Sequence, residues 1–306
     1  MYFPAADITA NPVLLPAVAL LVSFFCSMGG ISGAFLLLPF QVSYLGYVNP
    51  SVSATNQFYN VVAIPTGVYR YVREGRMVWP LAMTVAVGTL PGVMLGALIR
   101  ILYLPDPRTF KLFAGLVLAY IGMKLLLDLR KGNSGNKGAL KPATPAAGQG
   151  HGATGAFVTD VSITLRRIQY TYQGEVYACP MVSLFALSLV IGLVGGCYGI
   201  GGGAIMAPIL VSWYRLPVHT LGGATLLGTF LTSVAGIAFY SFIAPFFPGQ
   251  SVAPDWMLGF LLGIGGLVGM YFGARCQKHV PAAAIKWMLC AVILATAGQY
   301  VAGFFR

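Results

Sequence analysis

The stretch Tyr198–Leu210 reads YGIGGGAIMAPIL, and the fold of the whole chain turns on how glycines 199, 201, 202 and 203 are read. They stand directly before an apolar run that Pro208 interrupts. Gly199 through Ala204 fits the relaxed G-x-G-x-x-G/A pattern of a dinucleotide-binding turn. Such a turn needs a strand before it and an acidic residue about twenty positions on. The residues before it, LFALSLVIGLVGG, form a long apolar run, and the chain near 220 reads PVHTLGGAT, without a carboxylate. A nucleotide loop is therefore set aside. Two readings remain. The glycines let helices pack closely, or they break a helix inside a bilayer and expose backbone N–H groups at a new helix N-terminus.

Composition decides the environment. The chain has 306 residues, 58% hydrophobic and 8% charged, against about 25% charged in soluble domains. So few charges cannot cover a water-soluble surface. The expected class is an all-α integral membrane protein whose length suits about six to eight spans. The net charge of +11 falls mainly in short loops between apolar segments, which fits membrane orientation better than nucleic acid. The cysteines 26, 179, 197, 276 and 290 form no CxxC and no zinc spacing, and their odd number speaks against a disulfide framework. Neither a metal nor a cofactor is expected. The opening residues, MYFPAADITANPVLLP, lack the basic stretch of a secretory signal and are read as mature chain.

Apolar segments run from 13 to 128 and resume from 180 to 306; between them, 129–179 is polar. Its first part, GNSGNKGALKPATPAAGQGHG, is low in complexity and has little apolar area to bury. In SITLRRIQYTYQGEVYACP, Ile163, Leu165, Ile168, Tyr170 and Tyr172 recur almost alternately and Gln173-Gly174 offers a turn, so a small extramembrane β-hairpin is expected.

The two apolar blocks resemble each other. CSMGGISGAFLLLP (26–39) aligns with GGCYGIGGGAIMAP (195–208), and Ser53-Ala54-Thr55 with Gly223-Ala224-Thr225. In the third element VGTLPGVMLGAL (87–98) matches IGGLVGMYFGAR (264–275), with Gly88, Gly92, Gly96 and Ala97 over Gly265, Gly269, Gly273 and Ala274. That small-xxx-small stripe is a surface for close helix packing.

Loop charges add a constraint. Arg70, Arg73 and Arg76 share one connection, Arg275, Lys278 and Lys286 another, and 41–50 and 243–254 hold no lysine or arginine. If every apolar segment crossed once, the basic central loop and the basic 275–286 loop would fall on opposite faces, against the positive-inside rule. The conflict vanishes if 13–40 and 180–212 are broken, re-entrant segments. Each half then contains such a segment plus three transmembrane helices, and the halves are inverted repeats. Arg100, Arg108, Lys111 and Arg306 are then left outside.

The motifs GGISGAFLLLP and GCYGIGGGAIMAP, followed by SATNQ and GATLLGT, resemble the TauE/SafE family of sulfite and organosulfonate exporters, also grouped as the toluene-sulfonate uptake permease family. The second motif is close to the family's G-x-G-G-G before a proline; the first departs from it at Ser32. The resemblance implies a carrier in the cytoplasmic (inner) membrane of a prokaryote, not an enzyme, moving small sulfur-containing or carboxylated anions. Export by alternating access is the expectation, with uptake as the alternative.

An anion carrier needs donors. Gly30 and Ser32 in the first motif, Asn56 and Gln57 after it, Gly201, Gly202 and Gly203 in the second motif, and Thr225 and Thr229 after that are the candidate substrate-binding residues. The competing reading is that these amides and hydroxyls bond helices together. No carboxylate falls within an apolar core, and His151, His219 and His279 lie in connections, so no proton relay is expected. The expected partners are the anion and the lipid bilayer, with a homodimer left open and nucleic acid excluded. A rival class, a membrane thiol-redox protein using Cys26 and Cys197, is weakened because Met28, not Cys26, aligns with Cys197.

Overall fold

In the computed structural model the described residues are 1–28, 31–130, 158–164, 166–172, 174–214, 216–276 and 282–304. The chain is mostly helical. After two short paired strands, β1 (Tyr2–Phe3) and β2 (Ile8–Thr9), come α1 (Leu14–Met28), α2 (Ala34–Ser43), α3 (Ser51–Arg73), α4 (Trp79–Leu102) and α5 (Pro107–Arg130). Strands β3 (Val158–Thr164), β4 (Arg167–Tyr172) and β5 (Glu175–Pro180) follow. Then come α6 (Met181–Tyr198), α7 (Gly203–Trp213), α8 (Val218–Ile243), α9 (Trp256–Cys276) and α10 (Ala282–Phe304). Among the described residues five helices, α4, α5, α6, α8 and α9, are long and apolar enough to cross a membrane. At 23 residues, or about 34 Å at 1.5 Å per residue, α3 has the length; its buried Ser53, Asn56, Gln57 and Asn60 make it less apolar.

Both glycine motifs interrupt a helix. α1 ends at Met28 and α2 starts at Ala34; α6 ends at Tyr198 and α7 starts at Gly203. At the second break the cause is explicit: Gly199 (φ +83°) and Gly201 (φ +73°) are left-handed, a conformation that costs other residues roughly 1–2 kcal/mol. Gly30 lies outside the described residues.

The glycine stripes seat each half against the other. A Cβ on Gly88 would meet Phe185 and Ser188, on Gly92 Leu189 and Leu193, on Gly96 Leu193 and Cys197. The rising numbers mean that α4 and α6 run the same way. Likewise Gly265 faces Pro16, Gly269 faces Leu20 and Gly273 faces Phe24 and Ser27, so α9 runs parallel to α1. Gly259 against Phe58 and Gly263 against Val62 make α3 parallel to α9. α3 and α8 are antiparallel, Gln57 facing Gly236 and Tyr71 facing Gly222. α5 and α10 also cross antiparallel, with Gly115 at Tyr300 and Gly122 at Leu294. Where lipid gives no hydrophobic drive between helices, such close backbone approach supplies the association by van der Waals contact.

The central segment folds as expected from its alternation, with one strand more than a hairpin. The antiparallel sheet has the order β3-β4-β5, and β4 buries Ile168, Tyr170 and Tyr172 on one face. It docks at the helix end that carries the 74–78 turn: Val158 N donates to Gly75 O at 3.0 Å, and the Tyr170 and Thr220 hydroxyls are 2.9 Å apart. Burial pushes the Tyr170 phenol well above its ordinary value, so it bonds as a neutral hydroxyl. At the opposite end Ser51 N donates to Ser251 O at 2.9 Å, and the N-terminal segment ties the starts of α3 and α9 together, through Ser51 Oγ to Ala5 O at 3.2 Å and Ala6 N to the Asp255 carboxylate at 3.3 Å.

Candidate functional site

The two breaks meet inside the bundle, and one side chain joins them. Asn60, fully buried on α3, accepts from Ser32 Oγ of the first break. Its Nδ2 donates to Ile200 O of the second break at 3.1 Å and to Ser233 Oγ on α8 at 3.2 Å. The helices that follow the breaks, α2 and α7, therefore both begin beside this amide. Neither N-cap glycine, Gly33 or Gly202, has a side chain of its own to cap its helix; at α2 the neighbouring Ser32 accepts from Ala34 N through Oγ and from Phe35 N through its carbonyl, both at 3.3 Å. Tyr198, at the end of α6, crosses to the same place: its ring stacks on Phe35 at 6.1 Å and its hydroxyl donates to Phe35 O at 3.3 Å.

Ser53, Asn56, Gln57 and Asn60 fall at i, i+3, i+4 and i+7, one face of a helix. All four are fully buried. Asn56 is spent on the first half: its Nδ2 donates to Ala34 O at 3.0 Å and its Oδ1 accepts from Gln41 Nε2 at 3.1 Å. Ser53 donates to Cys197 O at 3.3 Å. Gln57 differs. Neither its Nε2 nor its Oε1 has a hydrogen-bond partner, and the Oε1 of Gln41 is also unmatched. A buried amide left unpaired costs about 1–3 kcal/mol per group.

The hydroxyls of α8 behave otherwise. Thr225 donates to Leu221 O at 3.0 Å, Thr229 to Thr225 O at 2.8 Å and Thr232 to Gly228 O at 2.8 Å. Their protons return to their own helix, leaving only lone pairs to face outward. Thr232 uses one to accept from Gly202 N at 3.2 Å. Thr229 and Thr225 wall the second break: a Cβ on Gly203 would strike the Thr225 carbonyl, and one on Gly201 would press Thr229 and Ser233 at 3.0 Å.

Of the residues expected from sequence, Ser32, Gly201, Gly202, Gly203 and Thr229 lie around the meeting point of the breaks, and Asn56 and Gln57 lie one turn along α3 from Asn60. Thr225 meets the same place through its backbone carbonyl, beside Gly203. Sequence reasoning missed Asn60, Gln41, Thr232 and Ser233. Asn60 was within reach, since it continues the 53–56–57 face by one turn; Gln41 has no counterpart that marks it. None of the side chains that bond in this cluster is charged among the described residues. Arg100, at the end of α4 away from the 74–78 turn, has a fully buried side chain. Cys197 donates its thiol to Gly96 O at 3.1 Å, a contact that joins α6 to the glycine stripe of α4.

A sequence model of the family described as sulfite exporter TauE/SafE matches residues 15–300. The chain is 22% identical over 301 residues to the probable membrane transporter protein YunE of Bacillus subtilis (strain 168), covering 94% of this chain and 97% of that one. It is 25% identical over 257 residues to a probable membrane transporter protein of Xylella fastidiosa (strain 9a5c), covering 81% and 78%. No solved structure matches it. The chain belongs to the TauE/SafE family and is a multi-pass membrane transporter.

Proposed function

From membership in that family we propose that the chain carries a small anion, a sulfite, an organosulfonate or a similar sulfur-containing or carboxylated species, across the cytoplasmic membrane of a prokaryote. The observation that carries the reading is Asn60, which brings the starts of α2 and α7 to one buried place. Helix N-termini carry partial positive charge, which suits an anion without a full countercharge. Gln57 adds an unpaired amide one turn away.

Alternating access about this place follows from inverted repeats, and the helix directions support that arrangement. α1 and α3 both run parallel to α9 although α2 lies between them. A segment that enters and returns on one face satisfies this. α4 runs with α6, and α8 runs opposite to α3, the same pattern with its sense reversed. Basic Arg70, Arg73 and Arg76 share the end where the β-sheet docks, so that end is read as cytoplasmic. Cysteines placed at 45 and 73 should label from opposite faces; labelling from one face overturns the inverted arrangement.

Export needs no coupling ion. A monovalent anion leaving a negative-inside cell gains about 2.3 kcal/mol per 100 mV. In proteoliposomes loaded with sulfite or methanesulfonate, efflux should rise with an inside-negative potential. Flux that ignores voltage and follows an imposed proton gradient would refute potential-driven export.

A further inference from the structure

Arg100 sits in the last turn of α4 with no exposed surface. Nη2 donates to Val48 O at 3.0 Å and Nη1 to Leu104 O. The guanidinium carbon lies 3.8 Å from the ring centroid of Phe110. Two things are missing from this environment. Nε is buried without a partner, and among the described residues no carboxylate is paired with the guanidinium. The buried carboxylate at this end of the bundle, Asp255, is engaged by the N–H groups of Leu258 at 3.0 Å and Ala6 at 3.3 Å. A buried cation whose charge is balanced only by carbonyl dipoles and a ring face is expensive inside a membrane protein, and such residues pair or mark ion pathways.

Its position connects two features. On one side is a pocket of about 310 Å³ lined by Val48, Asn49, Pro50, Pro105, Pro107 and Gly249 among others. Val48 supplies the carbonyl that holds Arg100, and Leu104, the other acceptor, immediately precedes Pro105. On the other side, one turn back along α4, Gly96 O accepts the Cys197 thiol at 3.1 Å. Cys197 is two residues before Gly199, where the second break begins. Tyr240 reaches Gly196 O at 3.5 Å.

We propose that Arg100 is a charged anion subsite between the pocket at 48–50 and 105–107 and the second glycine break. The ligand class is a small monovalent oxyanion, which would meet the unpaired Nε–H and supply the missing countercharge. The proposal rests on the reading of the chain as an anion carrier. It adds that the centre, built of amides and backbone dipoles, is served at one end by a full positive charge.

The test uses the full chain in proteoliposomes with radiolabelled methanesulfonate. Arg100→Gln should raise KM about tenfold or more, the equivalent of losing a hydrogen bond to a charged group. Arg100→Lys should recover part of that loss. Arg108→Gln, an exposed change at the second residue of α5, should leave KM alone. A purely structural arginine would lower the yield of folded carrier and its maximal rate while KM stays fixed, and that result overturns the proposal. A second readout needs no transport. Methanesulfonate, against an equal concentration of gluconate, should raise the melting temperature of the purified chain and of Arg108→Gln but not that of Arg100→Gln; a shift that survives in Arg100→Gln overturns the subsite. A wild type that moves neither methanesulfonate nor sulfite refutes the carrier reading instead, and a melting shift lost only in Arg100→Gln would then still establish the anion site.

Discussion

α3 and α8 cross antiparallel at the centre of the molecule and hold corresponding places in the two halves, yet they meet that centre with different chemistry. α3 brings amides: Asn56, Gln57 and Asn60 project donors beyond their own helix. α8 brings hydroxyls whose protons are already given to carbonyls four residues back. The breaks differ in the complementary way. The break facing α8 is made of left-handed glycine backbone, while the break facing α3 is fixed by a side chain, Ser32 on Asn60. A twofold repeat of sequence has thus become a division of labour, with side-chain donors from the first half and backbone from the second.

The largest effect should come from filling the backbone-built side. Gly199→Ala places a methyl in left-handed backbone and against the Cα of Ser53. Strain of roughly 1–2 kcal/mol adds to overpacking of about 1–3 kcal/mol. The melting temperature of the detergent-solubilised carrier should fall sharply and transport should be lost. Gly33→Ala is the paired control: Gly33 is right-handed at φ −59°, and its Cβ would meet first the side-chain hydroxyls of Tyr59 and Ser23 rather than backbone. Its melting temperature should fall less. Equal losses would erase the contrast between the breaks.

Next in size is the tie itself. Asn60→Ala strips the bonds to Ser32, Ile200 O and Ser233. Interhelical bonds in membranes average about 0.6 kcal/mol each, so the stability loss should be about 1–3 kcal/mol, within reach of a folded variant. Transport should fall by far more than folding, measured as flux per folded carrier. Flux that tracks the folded fraction alone would make Asn60 a strut and remove it from the site.

The breaks and the glycine stripes were legible because each depends on residue type at fixed spacing. A stripe of Gly88, Gly92 and Gly96 has few uses other than close packing, and it packs on α6. The central sheet was legible from alternation at Ile168, Tyr170 and Tyr172, which are its buried face. The bonding partners were not. The threonines of α8 look like donors in sequence, and only backbone geometry reveals that their protons are spent. Arg100 reads as a loop charge because it stands at the end of an apolar run. Its burial depends on Val48, Leu104 and Phe110, which three different stretches bring around it.

Gln57 sharpens the comparison through two readouts that should move in opposite directions. Gln57→Leu removes an unpaired buried amide, and replacing an unsatisfied polar group by an apolar one is neutral or stabilising. Stability should hold or rise, by about 1 kcal/mol at most, while the KM for sulfite or methanesulfonate rises. If both stability and transport fall, the amide has a structural partner and is not a reserve for the ligand.

The smallest effect tests the other helix. In Thr225 the hydroxyl bonds Leu221 O and, at 3.3 Å, Gly222 O, all within α8. Those carbonyls belong to the helix and keep their own backbone partners when the hydroxyl goes, so Thr225→Val leaves no orphaned group. The change should stay within about 0.5 kcal/mol, and KM should be unchanged. What Thr225 contributes at the second break is its backbone carbonyl beside Gly203, which valine keeps. Should KM rise in Thr225→Val with the fold intact, the hydroxyl is a ligand group after all. The two halves would then share the work of binding, and the asymmetry between amide and hydroxyl would be one of geometry alone.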